Sequence, residues 1–534
     1  MPGVLINETN NLASSLVSVP SAVIAIVGTA PIGEVNEITL LQSASQDSVF
    51  GLEVQGFTIP KALKAIRANE PNAKVMVVNV ADDVHGVAHD NVQVTNEAHT
   101  LVAGATQLTY APEGAIVVKD TTLLTTYTLT TDYTISATGA FARNPSGAIG
   151  ATDEIKVTYQ HLPNYTYAAD KATLSDPPYR SSTPVVYSKT KTTTYVAGTD
   201  YNIDAYGVVR RVVGGSMTAA QEFVVEYDIF DGISASDIVG TATPATGIYQ
   251  FTLAYSTFGF NPTIWICPDY TDATVLTAFR SAINNIYGGV FILDAPQGLT
   301  VAQVETARGA GSGNILDVSD QRVVAVYPEV YVDDIATAAE ELRPLSPFIA
   351  GMLAKVDRLE SPGRTLGNYP AAVLGFKRLA QVLTFDPDKS LTTDCSRLND
   401  VDMVTIRTSN IVWGDRSTSY RDDVGVKNKY NVRRVADILK RSIVVGANQF
   451  IGQNITKVLI DAILQNGQAY IDTLKQQGWL LDGRMIFNEA DNPPSELALG
   501  NLTIGFSYVP LLSLDTLTYN FTITTEGITD ILGL

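Results

Sequence analysis

Two histidines, His85 and His89, are the first residues whose types and spacing could do chemistry. They are four residues apart, and Asp82 and Asp83 come just before them. On a helix this spacing could place two imidazoles and nearby carboxylates around a metal ion. Gly86 and the polar surroundings favour a loop instead, so we predict no metal site. The other two histidines have no partner nearby in sequence and are predicted to lie at the surface; they are His99 and His161.

Other reactive patterns are equally sparse. The glycine-rich run 309–313 lacks the lysine that would reach a phosphate, and segment 386–388 lacks the glycine and glutamate of a calcium loop. Asp269 and Asp294 end predicted strands, where an enzyme with alternating strands and helices would place its site. Both aspartates fit turn or helix-cap positions better. The sequence therefore predicts no catalytic residue, cofactor or metal, and an enzyme is the weaker alternative.

Composition narrows the class further. The chain has 534 residues, and 36 basic against 55 acidic side chains give a net charge of −19. With 45% hydrophobic residues it can form several cores, and its length suggests three or four domains. The acidic balance disfavours direct binding to nucleic acid or to an anionic membrane. Cys267 and Cys395 are too few for a disulfide framework and are predicted to be reduced.

The elements that must position any site are strands and helices in alternation. Short apolar runs rich in β-branched residues predict buried strands, and the segments between them have helical periodicity. Such alternation predicts a largely parallel sheet with right-handed crossovers. The predicted strands are 21–28, 74–80, 263–267, 288–294 and 323–327, and the predicted helices include 57–68 and 272–286.

An internal duplication interrupts this pattern. Residues 114–159 align with residues 182–227 at a constant offset, with 18 identities in 46 positions. This agreement is far above chance and establishes a repeat. The threonine-rich texture and the glycine turns predict a small β-sandwich or β-barrel for each copy. We expect the pair to be inserted near residue 92, to end near residue 236, and to form an outward decoration. It could bind a glycan or receptor, or it could be inert bulk.

A basic segment stands out against the acidic chain. Residues 427–441 carry six basic side chains and one acidic side chain, a local charge of +5. Helical spacing puts their apolar residues on one face and predicts the basic residues on the other. That face would be either simply solvated or a docking surface for an acidic partner. The basic residues are Lys427, Lys429, Arg433, Arg434, Lys440 and Arg441.

The two ends of the sequence have no room for a core of their own. Residues 517–524 alternate strictly between apolar and polar side chains, which predicts a strand without a sheet. Segment 2–20 is likewise predicted to be extended. Such arms can add strands to the sheet of a neighbour. The candidate residues for these strands are Val4, Leu5, Ile6, Leu517, Tyr519, Phe521 and Ile523.

A set of short motifs in a fixed order resembles the contractile tail sheath proteins of phages and R-type pyocins. The resemblance covers residues 1–92 and 240–534 and omits the repeats. One departure is Arg416-Ser417, where the family more often has Arg-Thr. The motifs are Ala25-Ile26-Val27-Gly28, Leu293-Asp294-Ala295-Pro296, Ala350-Gly351 with Asp357, Leu398-Asn399-Asp400, Trp413-Gly414-Asp415-Arg416, and Asn492-Pro493 with Tyr508-Val509-Pro510.

The resemblance implies a mixed α/β (α+β) discontinuous sheath core, two tandem all-β sandwich-like or barrel-like inserted domains, and extended N- and C-terminal strand arms. It also implies that the C-terminal domain faces an inner tube, which makes the six basic residues candidate tube contacts. The predicted domains are the N-terminal arm 1–20, the α/β sheath domain 21–92 plus 236–400, the β repeats 93–162 and 163–235, the inner domain 401–510 and the C-terminal arm 511–534.

The function that the resemblance implies is mechanical. Subunits would polymerise as stacked hexameric rings around the tube and contract to drive it through a target cell envelope. The implied partners are neighbouring sheath subunits, the inner tail tube protein, and baseplate and tail terminator proteins. The implied location is a virion tail or tail-like particle assembled in the host cytoplasm. A surface adhesin or fibre built on the β repeats is the alternative, although no secretory signal is predicted.

Overall fold

The structure is a computed structural model that describes residues 19–180, 182–285, 288–334, 339–387 and 392–523. Its helices are α1 (Ile59–Asn69), α2 (Ala235–Val239), α3 (Ala254–Phe258), α4 (Ala273–Asn285), α5 (Val301–Ala307), α6 (Ser346–Leu359), α7 (Asp394–Asp400), α8 (Tyr430–Ala447), α9 (Lys457–Gln476) and α10 (Pro494–Ala498).

The strands fall into three stretches of the chain. The first stretch holds β1 (Val23–Gly28), β2 (Ile38–Leu41) and β3 (Lys74–Asn79). The second holds β4 (Gly86–Ala88), β5 (Val92–Thr100), β6 (Ala105–Gln107), β7 (Glu113–Asp120), β8 (Thr126–Tyr127), β9 (Tyr133–Ile135), β10 (Ala140–Arg143), β11 (Glu154–His161), β12 (Asn164–Thr166), β13 (Lys171–Thr173), β14 (Val185–Ser188), β15 (Tyr201–Ile203), β16 (Val208–Arg211), β17 (Glu222–Glu226) and β18 (Asp228–Phe230). The third holds β19 (Ile264–Ile266), β20 (Val290–Asp294), β21 (Val323–Val326), β22 (Val330–Asp333), β23 (Glu340–Arg343), β24 (Arg378–Leu379), β25 (Met403–Arg407), β26 (Ile411–Trp413), β27 (Leu480–Ile486) and β28 (Gly505–Pro510).

An eight-stranded sheet forms the centre of the body, in the order β2-β3-β1-β19-β20-β21-β25-β26. Its inner strands are parallel, and the two edge strands β2 and β26 run antiparallel to their neighbours. Alternate residues of each inner strand enter the two cores on opposite faces: Ile24 and Ile26 on one side, Ala25 on the other. Burial on both faces explains the continuous apolar runs, and the predicted largely parallel sheet is confirmed.

The central sheet also corrects one predicted boundary. Strands β25 and β26, within residues 403–413, complete this sheet, so the body does not end at residue 400. The chain leaves the body later, where α8 leads to α9 and to the two-stranded sheet of β27 and β28. The reason is topological, because β25 pairs in parallel with β21 and thereby belongs to the same core.

A short antiparallel pair forms the stem of the insertion. Strand β4 pairs with β18, with Ala88 opposite Asp228 and Gly86 opposite Phe230. The duplicated region therefore spans residues 89–227. It also touches the body, because the Tyr179 hydroxyl donates to the carbonyl of Asp82 at 2.6 Å and Arg180 donates to the carbonyl of Ala81 at 2.8 Å.

The two copies share strand order and register. In the first copy Ala140 pairs with Gln107 and Glu154 with Thr100; in the second, Val208 pairs with Thr173 and Glu222 with Thr166. The duplication therefore begins upstream of residue 114. The two copies differ by two residues in length ahead of the aligned segment, so an ungapped alignment misses their first strands. Each copy holds two small sheets around its own core, and among the described residues neither copy closes into a barrel.

The histidines of this region are structural. His161 is 2% exposed and stacks on Tyr110 with ring centroids 3.9 Å apart, so its predicted surface position is wrong. Burial lowers the pKa of His161. His85 contacts Asp82 at 2.7 Å rather than joining His89, and no metal-binding cluster of three His, Cys, Asp or Glu side chains occurs in the described ranges.

Candidate assembly interface

Helix α8 carries most of the basic residues singled out in the sequence, and it is buried on nearly every side. Val435 and Leu439 face the core of the C-terminal hairpin, while Arg434 faces the body. The Arg434 guanidinium donates to the Asp357 carboxylate of α6 at 2.9 Å, and both side chains are 1% exposed. Arg434 therefore joins two parts of the same chain and presents no charge to a partner.

Asp437, the one acidic residue of the basic segment, accepts hydrogen bonds from three parts of the chain. It accepts from Arg322 at 2.8 Å, from the backbone N–H of Gly289 at 3.2 Å, and from Arg433 one turn earlier on α8. Its side chain is 2% exposed. Arg441 is buried too and donates to the carbonyl of Pro262 at 3.2 Å, and desolvation lowers its pKa to about 10.

The predicted single basic face is therefore wrong. Arg434, Arg441 and Lys429 are each less than 10% exposed, because acidic groups and carbonyls from distant parts of the chain surround them. Lys427 and Lys440 remain exposed, and Lys427 makes only a surface ion pair with Asp423 at 2.8 Å. Contact of these two lysines with a tube stays a prediction.

Lys429, at the start of α8, anchors the root of the C-terminal arm. Its ammonium donates to Asp415 at 3.1 Å, to the Ser513 hydroxyl at 2.6 Å and to the Asp515 carboxylate. Ser513 in turn donates to Asp415, so four side chains form one cluster. The Lys429 side chain is 6% exposed, and this burial strengthens each charge-assisted bond. The cluster fixes where the arm leaves the body.

Beyond this cluster the arm is extended and uncovered. Its apolar side chains become more exposed along the chain: Leu517 is 60% exposed, Tyr519 70%, Phe521 91% and Ile523 99%. These alternating residues form no strand pairing with the described part of their own chain. The arm thus presents a row of apolar side chains that the described part of its own chain leaves largely uncovered. The N-terminal candidates Val4, Leu5 and Ile6 lie outside the described residues.

A two-stranded sheet near the arm offers an incomplete partner. Strands β27 and β28 pair antiparallel, with Arg484 opposite Ser507. One face packs on α8 and α9 through a core that contains Leu439, Ile471 and Tyr508. A two-stranded sheet is marginal without further strands or a covering helix. Here α9 covers one face, and among the described residues no third strand joins the pair.

Several motif residues show their physical role here. A Cβ on Gly351 would meet the backbone oxygen of Ile66 at 2.7 Å, so the glycine permits close contact of α6 with α1. Asp357 pairs with Arg434, and Asp415 holds Lys429. Composition and periodicity did not identify these partners. Their only signal in the sequence was their position inside the family-like motifs.

The two aspartates at the strand ends have structural roles. Asp294 accepts from the backbone N–H of Ser346 at 2.7 Å and thereby caps the start of α6, and Asp269 has a left-handed backbone with φ of 69°. The cap and turn interpretation is confirmed for both. Burial raises the pKa of Asp294 to about 7 and that of Asp269 to about 6. Cys267 and Cys395 are buried and unpaired.

Comparison with known proteins gives one consistent family. The chain is 29% identical over 531 residues to the tail sheath protein of Burkholderia phage BcepMu, which covers 96% of this chain and 95% of that protein. No family model matches the chain. Among solved structures, the contracted sheath of the PVC extracellular contractile injection system has a TM-score of 0.53 at 13% identity, covering 98% of each chain.

A second solved structure supports the same fold. The contracted helical sheath of the anti-feeding prophage has a TM-score of 0.52 at 14% identity and covers 98% of each chain. These similarities confirm the resemblance that the motifs predicted, and they give no support to the adhesin or fibre alternative. Within the part of the chain that the structure describes, no helix is long and apolar enough to cross a bilayer.

Proposed function

We propose that this relative of the contractile tail sheath proteins is a structural subunit that polymerises as stacked hexameric rings around an inner tube and contracts to drive the tube through a target cell envelope. One observation carries the proposal. The C-terminal arm leaves the body at the Lys429 cluster and exposes alternating apolar residues that the described part of its own subunit does not cover. An arm of this kind gains its burial and backbone hydrogen bonds from a neighbour.

The arrangement suits a mesh that stays connected while its subunits move. Backbone pairing of an arm with a neighbouring sheet depends little on side-chain identity. The paired strand can therefore stay bound while the two subunit bodies rotate about the point where the arm leaves the body. The body itself is rigid by comparison, with a doubly covered central sheet and buried ion pairs such as Arg434–Asp357. The N-terminal arm takes the same connecting role through residues 4–6.

The remaining partners follow from such an assembly. The tube contacts the exposed lysines Lys427 and Lys440, and baseplate and tail terminator proteins contact the two ends of the sheath. The chain works without a cofactor, a metal or direct contact with nucleic acid or membrane. It belongs in a virion tail or tail-like particle and assembles in the host cytoplasm. The inserted repeats decorate the outer surface, as binding modules or as inert bulk.

Negative-stain electron microscopy of two deletion variants tests this proposal. Truncation before Leu511 removes the arm and should leave a folded subunit that forms no cylinders, because the connecting strand is gone. Replacing residues 89–227 by Asn-Gly closes the β4–β18 stem as a two-residue hairpin and should leave cylinders intact. Full-length protein should form striated cylinders. Normal cylinders from the truncated chain would refute the role of the arm.

The tube contact has its own test. Lys427→Glu with Lys440→Glu should weaken co-assembly on purified tubes, most strongly at low salt, because exposed ion pairs are screened. Both side chains are exposed, so the thermal midpoint of the isolated subunit should stay unchanged. Lys475→Glu is the matched control, because it reverses a half-buried lysine on α9 that likewise makes a surface ion pair, with Asp482 at 2.6 Å. Equal co-assembly of both variants at low salt would reject this face.

A further inference from the structure

A cavity of about 320 Å³ lies at the carboxyl ends of β1 and β19, within a single subunit. The order of the central sheet reverses here, because β3 lies on one side of β1 and β19 on the other. Open α/β sheets usually bind their ligands in the crevice at such a reversal, and cavities for small molecules begin at about 300 Å³. The place and the size of this cavity are therefore those of a ligand site.

Part of the cavity wall is apolar and is held in place by neighbouring rings. Phe57, Pro268 and Phe348 line the cavity, and all three are buried. Phe57 stacks on Phe230 of the insertion stem with ring centroids 4.7 Å apart, and Phe348 packs edge-on against Phe376 at 5.7 Å. Because these contacts fix the wall in advance, a compact hydrocarbon group can pack there without rearrangement of the protein.

The positive charges of the wall are already paired with carboxylates. Lys61 forms an ion pair with Glu341. The Arg343 guanidinium lies 2.9 Å from the Glu341 carboxylate and 2.7 Å from that of Glu53. An anionic ligand would have to displace one of these carboxylates before it could pair with a cation of the wall, so the cavity does not favour an anion.

The backbone donors at the start of α1 are occupied as well. The N–H groups of Thr58 and Ile59 donate to the carbonyl of Thr29 at 3.1 and 2.9 Å, and Pro60 has no N–H group. A helix N-terminus usually holds a phosphate through its free N–H groups. The first donors of α1 cannot do so here, because their partner is Thr29.

Asp269 contributes a negative charge to the wall at the end of β19. Among the described residues no basic side chain forms an ion pair with it, and the Gln297 amide donates to it at 3.5 Å, a long hydrogen bond. Burial raises the pKa of Asp269 to about 6, and the nearby charge of Lys61 only partly opposes this shift. A cation that entered the cavity would supply the ion pair that this carboxylate lacks.

We infer that this cavity binds an organic cation, an ammonium or guanidinium group on a compact apolar body, in which Asp269 pairs with the charge and Phe57, Pro268 and Phe348 contact the body. The inference is independent of the proposed function, because all the residues that line the cavity belong to one subunit. A free amine and a lysine or arginine side chain of a second copy share this chemistry, and the experiment separates the two sources.

Equilibrium dialysis of the full-length protein with three matched probes tests the inference. The probes carry the same phenyl ring and differ in charge: 2-phenylethylammonium, 2-phenylethanol and 3-phenylpropanoate. We expect the ammonium probe to bind to one site per chain and at least about tenfold more tightly than the other two. Equal binding of the alcohol, or tighter binding of the propanoate, would overturn the inference.

The source of the cation is tested by sedimenting the protein into subunits and cylinders before dialysis. Binding of 2-phenylethylammonium to both fractions would support a free amine as the ligand. Binding to subunits alone would support a basic side chain of a second copy, which fills the cavity in the assembly. Absence of binding to the subunit fraction would refute the cation site in either form.

Asp269→Asn locates the bound charge. Asparagine keeps the shape of the side chain and tolerates the left-handed backbone at this position, φ of 69°, so the fold should be retained. Binding of the ammonium probe should weaken about ten- to hundredfold, while binding of 2-phenylethanol stays the same. Glu34→Gln, which removes an exposed carboxylate outside the cavity, is the control. Unchanged ammonium binding in Asp269→Asn with a normal unfolding midpoint would overturn the assignment.

Glu341→Gln tests why the cavity prefers a cation. This change removes the carboxylate that pairs with Lys61, so the Lys61 ammonium becomes free to pair with Asp269 or with an anionic probe. The preference for 2-phenylethylammonium over 3-phenylpropanoate should then fall at least about tenfold. An unchanged preference would show that the charges of the wall do not select the ligand.

Discussion

The inserted repeats and the C-terminal arm are both β segments rich in threonine and aromatic residues, yet they place their aromatic side chains in opposite environments. Phe141 of the first repeat is 1% exposed and stacks on Tyr133 with centroids 5.1 Å apart. Phe521 of the arm is 91% exposed. Each repeat contains two sheets that pack on each other and bury the aromatic side chains between them. The arm is a single extended segment, and no second layer of the described chain covers its apolar side chains.

This difference separates the part of the chain that is complete from the part that needs another subunit. Removing the first repeat should cost the molecule little beyond that repeat, because Tyr133, Phe141 and Tyr159 pack mainly on each other. Removing the arm beyond Asp515 should cost the isolated subunit almost nothing, because those residues lie outside the Lys429 cluster, but it should prevent assembly. The contrast also explains how a large insertion is tolerated, since it enters and leaves through one short antiparallel stem.

The sharpest test of the contrast uses the same substitution in both regions. Phe141→Ala should destabilise the first repeat by about 3–5 kcal/mol, because it leaves a cavity in a closed core, while cylinders still form. Phe521→Ala should leave the thermal midpoint unchanged and reduce cylinder formation. Calorimetry and electron microscopy of both variants measure the two effects. Loss of subunit stability in Phe521→Ala would show that the arm packs on its own body.

A smaller effect is expected at the junction between arm and body. Lys429→Met leaves Asp415 without its cation and should cost about 2 kcal/mol, less than for fully buried pairs because Asp515 is 38% exposed. Limited proteolysis should then cut the chain near residues 511–515 more readily. The exposed Lys427→Met is the control and should change neither unfolding nor cleavage. Unchanged cleavage in Lys429→Met would mean that the cluster does not hold the arm.

The smallest effect concerns the body and depends on pH. Burial raises the pKa of Asp294 to about 7 from an ordinary value of 3.8, so ionisation is penalised in the folded state. Stability from this residue is therefore greatest below about pH 4 and is lost as pH rises to about 7, by about 1.4 kcal/mol for each pH unit. Asp294→Asn should flatten this part of the unfolding profile measured between pH 5 and pH 8. An unchanged slope would contradict the role of Asp294.

The sequence was informative wherever neighbouring residues decide the structure. The apolar run 23–28 predicts a doubly buried strand because only a parallel inner strand buries both faces, and β1 has this environment. The alternation of residues 517–523 predicts an unpartnered strand, and the structure leaves those side chains exposed. The duplication was visible too, although a two-residue length difference hid its first strands.

The candidate site was predicted less well, for a physical reason. Helical spacing predicts which face of α8 is buried from the polarity of that helix's own side chains. The actual burial of each face depends on which other parts of the chain pack against it. Asp357 lies 77 residues from Arg434, so the sequence shows a free cation where the fold forms a buried pair. The partners of Lys429 and the burial of His161 could not be predicted for the same reason, because the contacting residues are far away in the sequence.

By itself, the sequence determined the alternating α/β body, the inserted duplication, the unpartnered arm and the family resemblance, because each is written in residues that are close together along the chain. Only the tertiary structure decided which cations are paired with buried carboxylates and where the arm is anchored. Those properties depend on distances between residues far apart in sequence, and the free energy of a charge or an unpaired backbone group depends on those distances.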